Sequence, residues 1–364
     1  MNITLKKLHD LGQSLWLDNI SHKMLDDGTL AAYIHDFSVT GLTSNPTIFE
    51  QTIAAGDAYD EQIGNLTQAG KTGEALFFDL ALRDLTQAAD LFRPVFDVSG
   101  GMDGWVSLEV SPDLVDDAAK TIAAASQLHA AGARPNLYIK IPGTPAGLPA
   151  IENSIFAGVP INVTLLFSHE QYLAAAAAYL RGIERRISAG LDPKVESVAS
   201  LFVSRWDVAI KDRVPAQQRN RLGIAIAKRT YKAYCDLLGA PRWQQLAAAG
   251  AHPQRLLWAS TGTKDPAAPD TLYIEQLVAP GTVNTMPDKT LKAVADHGRL
   301  DAVLPPDGGD AEAQLAEIRR LGIDRDALAL TLQREGAAAF QTSWAHLLQE
   351  LERRGARLQG AIDK

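Results

Sequence analysis

Short β-branched or apolar runs alternate along this chain with alanine-rich stretches of helical character. That alternation demands a parallel sheet or barrel, because parallel strands are joined by long crossovers and helices cover the sheet. The predicted strands are Ser14–Asp18, Phe37–Leu42, Trp105–Val110, Asn136–Ile141, Pro160–Phe167, Glu196–Val203, Arg255–Ser260 and Thr282–Thr285. Eight runs fit a closed (β/α)₈ barrel better than an open sheet, and 364 residues leave room for additions to its usual ~250. Predicted helices include Asp113–Ala130, Glu170–Ala189 and Ala216–Leu238. Between Glu50 and Arg93 there is more helical sequence than one crossover needs, so an insertion is expected around residues 50–100. Beyond Thr285 a breaker cluster, Pro305-Pro306-Asp307-Gly308-Gly309, precedes helical periodicity from Ala311 to about Arg354. The expected organisation is a barrel over 1–300 and a C-terminal helical extension over 301–364 packed on it.

Composition narrows the function classes. Hydrophobic residues make up 46% and charged residues 21%, a globular balance. The net charge of −8 argues against general nucleic-acid binding, so any phosphate site must be a local cluster of cations. Cys235 is the only cysteine, which excludes an internal disulfide and a thiolate zinc cluster, and its expected role is packing. The eight histidines show no ligand spacing, and no P-loop, dinucleotide-binding glycine fingerprint or HExxH motif is present. Met1–Lys7 carries no apolar signal core, and the greasiest stretch, Leu173–Leu180, is too short to span a bilayer. A soluble, cytoplasmic protein with no membrane partner is expected. Glu184-Arg185-Arg186 and Glu350–Arg354 read as solvated helix faces, and Asp26-Asp27-Gly28 as a turn.

The polar interruptions carry the chemistry. Side chains alternate across a strand with period two. In Leu137–Ile141 the minority face holds Tyr138 and Lys140; in Val106–Val110 it holds Ser107 and Glu109; in Ile161–Leu165 it holds Asn162 and Thr164. The outer face of a parallel barrel must be apolar under its helices, so these residues face the interior, near the mouth where active sites lie. Asp18, Asn45, Ser200 and Arg205 fall near other strand ends. A buried lysine is either half of an internal ion pair or an amine nucleophile that condenses with a carbonyl. The second role needs a neutral amine, yet at an ordinary pKa of ~10.4 only roughly 0.04% is neutral near pH 7. Desolvation between Ile139 and Ile141 favours the neutral form. Spacing alone leaves both readings open. Asp18 and Glu109 are either partners of that charge or the acid–base pair that iminium chemistry needs. Arg205, five residues after Ser200, is either a surface salt-bridge residue or a phosphate ligand. Lys264, beyond the Ser260-Thr261-Gly262-Thr263 turn, offers a second cation.

Several of these segments together resemble the transaldolase family. Thr43-Ser44-Asn45-Pro46-Thr47 looks like its T-[ST]-N-P signature, and Ile139-Lys140-Ile141-Pro142-Gly143-Thr144 with Ala146-Gly147-Leu148 looks like its Schiff-base lysine segment. Asn162–Ser168 resembles the N-x-T-L-L-F-S strand, and Ser200–Arg205 resembles the phosphate-binding strand. The order holds from Asp18 to Pro287; the insertion, the tail and the run ending at Lys264 resemble the longer, bacterial-type branch. The resemblance implies an enzyme of the pentose phosphate pathway without cofactor or metal, monomeric or homodimeric. It would transfer a dihydroxyacetone unit from sedoheptulose 7-phosphate to glyceraldehyde 3-phosphate, giving erythrose 4-phosphate and fructose 6-phosphate. It implies Lys140 as the Schiff-base residue, Asp18 as the base at the C4 hydroxyl, and Glu109 and Thr164 as holders of a proton-shuttling water. Asn45 and Asn162 would hold the hydroxyls of the three-carbon unit; Ser200, Arg205 and Lys264 would hold the phosphate. Shorter relatives have a second arginine in the region of Lys264, and a lysine there lacks bidentate geometry. The alternatives are a fructose-6-phosphate aldolase-like lyase and a non-catalytic phosphosugar-binding barrel.

Overall fold

The computed structural model describes residues 1–362. Eight strands run β1 Ser14–Asp18, β2 Val39–Thr43, β3 Val106–Glu109, β4 Leu137–Pro142, β5 Ile161–Leu166, β6 Ser197–Phe202, β7 Arg255–Ala259 and β8 Val283–Met286. Every pairing is parallel, in the order β2-β1-β8-β7-β6-β5-β4-β3. The ring closes through a parallel bridge between Gly41 and Trp105, where the Leu42 amide donates to the Trp105 carbonyl at 2.9 Å. The expected (β/α)₈ barrel is therefore present. The second strand is displaced from the expected Phe37–Leu42, because Ser38 takes a left-handed φ of 54° that ends the preceding helix, Thr29–Asp36.

The barrel floor is aromatic. Tyr138 stacks on Trp105 at 4.0 Å between ring centroids and lies 6.0 Å from Trp16, all three buried. Gly41 makes room for this layer: a Cβ there would stand 2.7 Å from the Trp16 indole nitrogen. That nitrogen donates to Asp103 at 2.7 Å. Above the floor the same strand parity turns polar, so the site sits on a packed plug rather than over a pore.

Three helices separate β2 from β3, Pro46–Ala54, Asp60–Gln68 and Gly73–Val98, where one crossover would suffice. The expected helix over Asp113–Ala130 is split into a 3₁₀ turn, Pro112–Leu114, and a helix from Ala118 to Gly132 that Asp117 caps at the Lys120 amide. The expected Ala216–Leu238 helix likewise splits, into a 3₁₀ turn at Ala216–Gln218 and Leu222–Gly239. The C-terminal periodicity resolves into Ala311–Arg320 and the 38-residue Arg325–Ile362, separated at Gly322, whose φ is 80°.

The last helix crosses the inserted helices and the barrel mouth. Trp344 meets Phe77 edge-to-face at 4.8 Å, and Thr47 donates to Ser343 at 2.8 Å. Arg354 corrects the reading of Glu350–Arg354 as a solvated face: it is 6% exposed and donates to Gly56 O and Asp60. Helical spacing alone shows which residues share a face, not that another helix supplies a carboxylate to it. Among the described residues no helix is long and apolar enough to cross a membrane.

Candidate active site

At the C-terminal ends of the strands lies a cavity with room for about 120 Å³ of water-sized solvent. Its lining includes Asp18, Asn45, Lys140, Thr164, Ser200, Arg205 and Lys264, seven of the nine residues expected from the sequence. The other two, Glu109 and Asn162, stand immediately behind it.

Lys140 projects from β4 into the barrel and is 5% exposed. Its Nζ lies 3.0 Å from Glu109 Oε2 and donates to the Ser44 carbonyl at 3.0 Å. Register explains the pairing: Glu109 on β3 is directly opposite Lys140, which is directly opposite Asn162 on β5. Burial pushes the Glu109 carboxyl above its ordinary range, an effect that Lys140 opposes and Asp18 reinforces. Asp18, at the end of β1, is also pushed up by burial, against the pull of Lys140, the Thr43 hydroxyl and Lys264. Thr43 donates to Asp18 at 2.8 Å and is linked to Thr285 at 2.7 Å, which fixes the carboxylate at the mouth.

A hydroxyl–amide chain forms the adjoining wall. Ser200 donates to Asn162 Oδ1 at 2.7 Å, and Asn162 Nδ2 donates to Ser107 Oγ at 3.1 Å. Thr164 is fully buried, and its hydroxyl has no hydrogen-bond partner. Asn45 caps the Pro46–Ala54 helix, accepting from the Ile48 amide at 3.0 Å, with Pro46 preset at the first helical position.

The opposite end is cationic. Arg205, at the start of the Ser204–Ile210 helix that follows β6, lies 5.4 Å from the Phe202 ring centre and 6.0 Å from that of Phe340. Burial lowers its pKa from the ordinary value, with Glu335 opposing. Lys264 faces the same space and is exposed. With Lys140 paired to Glu109, the described cavity lining still sets two cations, Arg205 and Lys264, beside one carboxylate, Asp18, so it favours an anion despite the acidic chain.

Sequence reasoning missed Thr43, Ser44 and Thr285 as supports, and Phe202, Ser260 and Phe340 as walls. Thr285 is not legible from strand parity, because apolar Val283 shares its face and the polar Asn284 lies on the other. Phe340 carries no local signal, since it reaches the mouth from the C-terminal helix.

A sequence profile described as transaldolase/fructose-6-phosphate aldolase matches residues 15–351. The chain is 46% identical to Transaldolase 1 of Streptomyces avermitilis, over 95% of this chain and 94% of that protein. It is 44% identical to a transaldolase of Parafrankia sp., over 96% and 98%, and 45% identical to one of Acidothermus cellulolyticus, over 97% of each. With the match spanning nearly the whole chain, the protein belongs to the transaldolase/fructose-6-phosphate aldolase family.

Proposed function

We propose that this protein is a transaldolase of the pentose phosphate pathway, moving a dihydroxyacetone unit between phosphorylated sugars through a Schiff base on Lys140. The observation that carries the residue assignment is a buried lysine amine, 3.0 Å from one carboxylate, opening into a cavity that a second carboxylate also lines.

The Lys140 amine attacks the ketone carbon of sedoheptulose 7-phosphate, and loss of water from the carbinolamine gives the iminium. Glu109, with its carboxyl held above the ordinary range, accepts and returns the protons of these steps through a water that Thr164 holds with its unpartnered hydroxyl. The Asp18 carboxylate removes the C4 hydroxyl proton. The C3–C4 bond then breaks, its electron pair flows into the iminium to give the enamine, and erythrose 4-phosphate departs. The enamine carbon attacks the aldehyde of glyceraldehyde 3-phosphate, Asp18 returns its proton to the new alkoxide, and hydrolysis releases fructose 6-phosphate. Asn45 and Asn162 hold the hydroxyls of the three-carbon unit, and Ser200, Arg205 and Lys264 receive the phosphate. The family resemblance alone supports a cytoplasmic, monomeric or homodimeric enzyme.

Borohydride reduction in the presence of fructose 6-phosphate, followed by peptide mapping, tests the assignment: the adduct is expected on Lys140, and an unmodified Lys140 ends it. Product analysis with acceptor present separates transfer from lysis. Free dihydroxyacetone as the main product would replace the transferase with the fructose-6-phosphate aldolase-like lyase.

A further inference from the structure

The active-site residues sit on the barrel, yet one side chain from the C-terminal helix is built into the strand ends that carry two of them. Gln333 is 6% exposed, and its Nε2 donates to the carbonyls of Leu165 at 2.9 Å and Gly143 at 3.1 Å. Gly143 directly follows β4, the strand of Lys140, and Leu165 directly follows Thr164 on β5.

The backbone at that point is irregular. Leu165 has a φ of 58°, a left-handed conformation that a bulky L-residue adopts only when its surroundings impose it. The β5–β6 register shifts between Val163 and Leu166, which marks a bulge at Thr164-Leu165. Bulges beside active sites re-aim side chains, and here the re-aimed hydroxyl is the buried, unpartnered Thr164. On the β4 side the Gly143 amide donates to the Thr164 carbonyl at 2.7 Å. The ladder would end there, leaving the Gly143 and Leu165 carbonyls inside a buried environment. One Gln333 amide group satisfies both. The helix comes close enough because residue 336 is glycine: a Cβ there would stand 3.0 Å from the Leu165 side chain and 3.4 Å from Arg205.

We propose that Gln333 is a positioning residue for the transfer reaction: by pinning the Gly143 and Leu165 carbonyls it holds the β5 bulge that sets the Thr164 hydroxyl in the cavity that Lys140 also lines. The inference rests on the roles given above to Lys140 and Thr164. It places the effect on imine formation and hydrolysis more than on phosphate binding, because the two carbonyls that Gln333 holds belong to the strands of Lys140 and Thr164, whereas Arg205 meets the same helix further along, at Gly336 and Phe340.

The test compares Gln333→Met, which keeps the volume and loses both donors, with Gln333→Glu, which keeps the outline and has no N–H to give. Ser343→Ala, on the same helix and removing the hydrogen bond from Thr47, serves as the control for general loosening. Misplacing a reacting group by about 1 Å can cost on the order of 100-fold, so a partial relaxation of the bulge is expected to lower kcat about tenfold. The borohydride trapping rate should fall by the same factor, while KM for glyceraldehyde 3-phosphate stays within about twofold. Ser343→Ala should keep wild-type kcat well below its melting temperature. A folded Gln333 variant with wild-type kcat and trapping rate overturns the proposal, as does one whose loss lies in KM alone; if one variant fails to fold, the other is decisive. Absence of trapping in the wild-type protein would instead overturn the assignment of Lys140.

Discussion

Replacing Lys140 by methionine tests the buried pair at the heart of the site through stability instead of activity. Lys140 and Glu109 are 5% and 7% exposed and 3.0 Å apart, and Lys140 is the largest influence opposing the upward shift of Glu109 by burial. Removing one member of a buried pair leaves an uncompensated charge, so Lys140→Met should cost about 3–5 kcal/mol at pH 8. The cost must depend on pH with a definite sign. With the cation gone, the folded-state pKa of Glu109 rises still further above its unfolded value. A group shifted in that direction contributes its stability below the unfolded pKa and loses it as pH rises through the folded one. The penalty should therefore shrink toward pH 5, by up to ~1.4 kcal/mol per pH unit for one proton. Adding Glu109→Met removes the orphaned charge, and the double variant should return to within about 1 kcal/mol of wild type, since apolar replacements of buried pairs are often neutral or better. Urea unfolding of wild type, single and double variants at pH 5 and pH 8 supplies the cycle. A double variant as unstable as Lys140→Met at pH 8, or a single-variant cost that is flat between the two pH values, refutes the reasoning.

Three further outcomes bear on the chemistry. Lys140→Arg retains charge but cannot form an imine, so turnover should vanish while the fold persists; steady-state assays that still detect turnover remove Lys140 from the mechanism. Arg205→Ala should raise KM for phosphorylated sugars about 10- to 100-fold, the loss of a charge-assisted hydrogen bond of about 1.5–3 kcal/mol, and an unchanged KM takes Arg205 out of the phosphate site. Because burial pushes both Asp18 and Glu109 above the ordinary carboxylate range, and Asp18 must be ionised to act as base, the acid limb of kcat/KM should lie above pH 4. A profile flat down to pH 4 contradicts their burial.

Strand parity made the inner half of the site legible. Lys140, Glu109, Asn162 and Thr164 interrupt otherwise apolar strands, and in a parallel barrel only one face tolerates that. Adjacent strands pair in register, so Glu109, Lys140 and Asn162 fall on one rung. Boundaries were less legible where a single residue outside the strand pattern decided them. Ser38 turns left-handed and moves β2 by two residues at its start, and Asp117 restarts a helix that periodicity alone carries through from Asp113. In each case a local backbone or capping preference overrides a continuous apolar pattern.

What comes from the C-terminal helix was illegible for a different reason. Phe340 and Gln333 stand on a helix whose amphipathic pattern is satisfied by packing against the inserted helices, for instance Trp344 on Phe77. Such a pattern states that a face is buried and says nothing about which strand ends lie beneath it. The information is distributed over long separations: Gln333 meets carbonyls 168 and 190 residues earlier, and its consequence is expressed in the φ of Leu165 and the free hydroxyl of Thr164. The insertion between β2 and β3 and the C-terminal helix are thus connected parts of one arrangement. The inserted helices seat the last helix, through Phe77 and Asp60, and that helix in turn walls Arg205 and ties β4 to β5. On that account, loosening the helix at the Thr47–Ser343 contact and severing it at Gln333 must differ in kind: the first lowers stability, the second reaches the reacting amine.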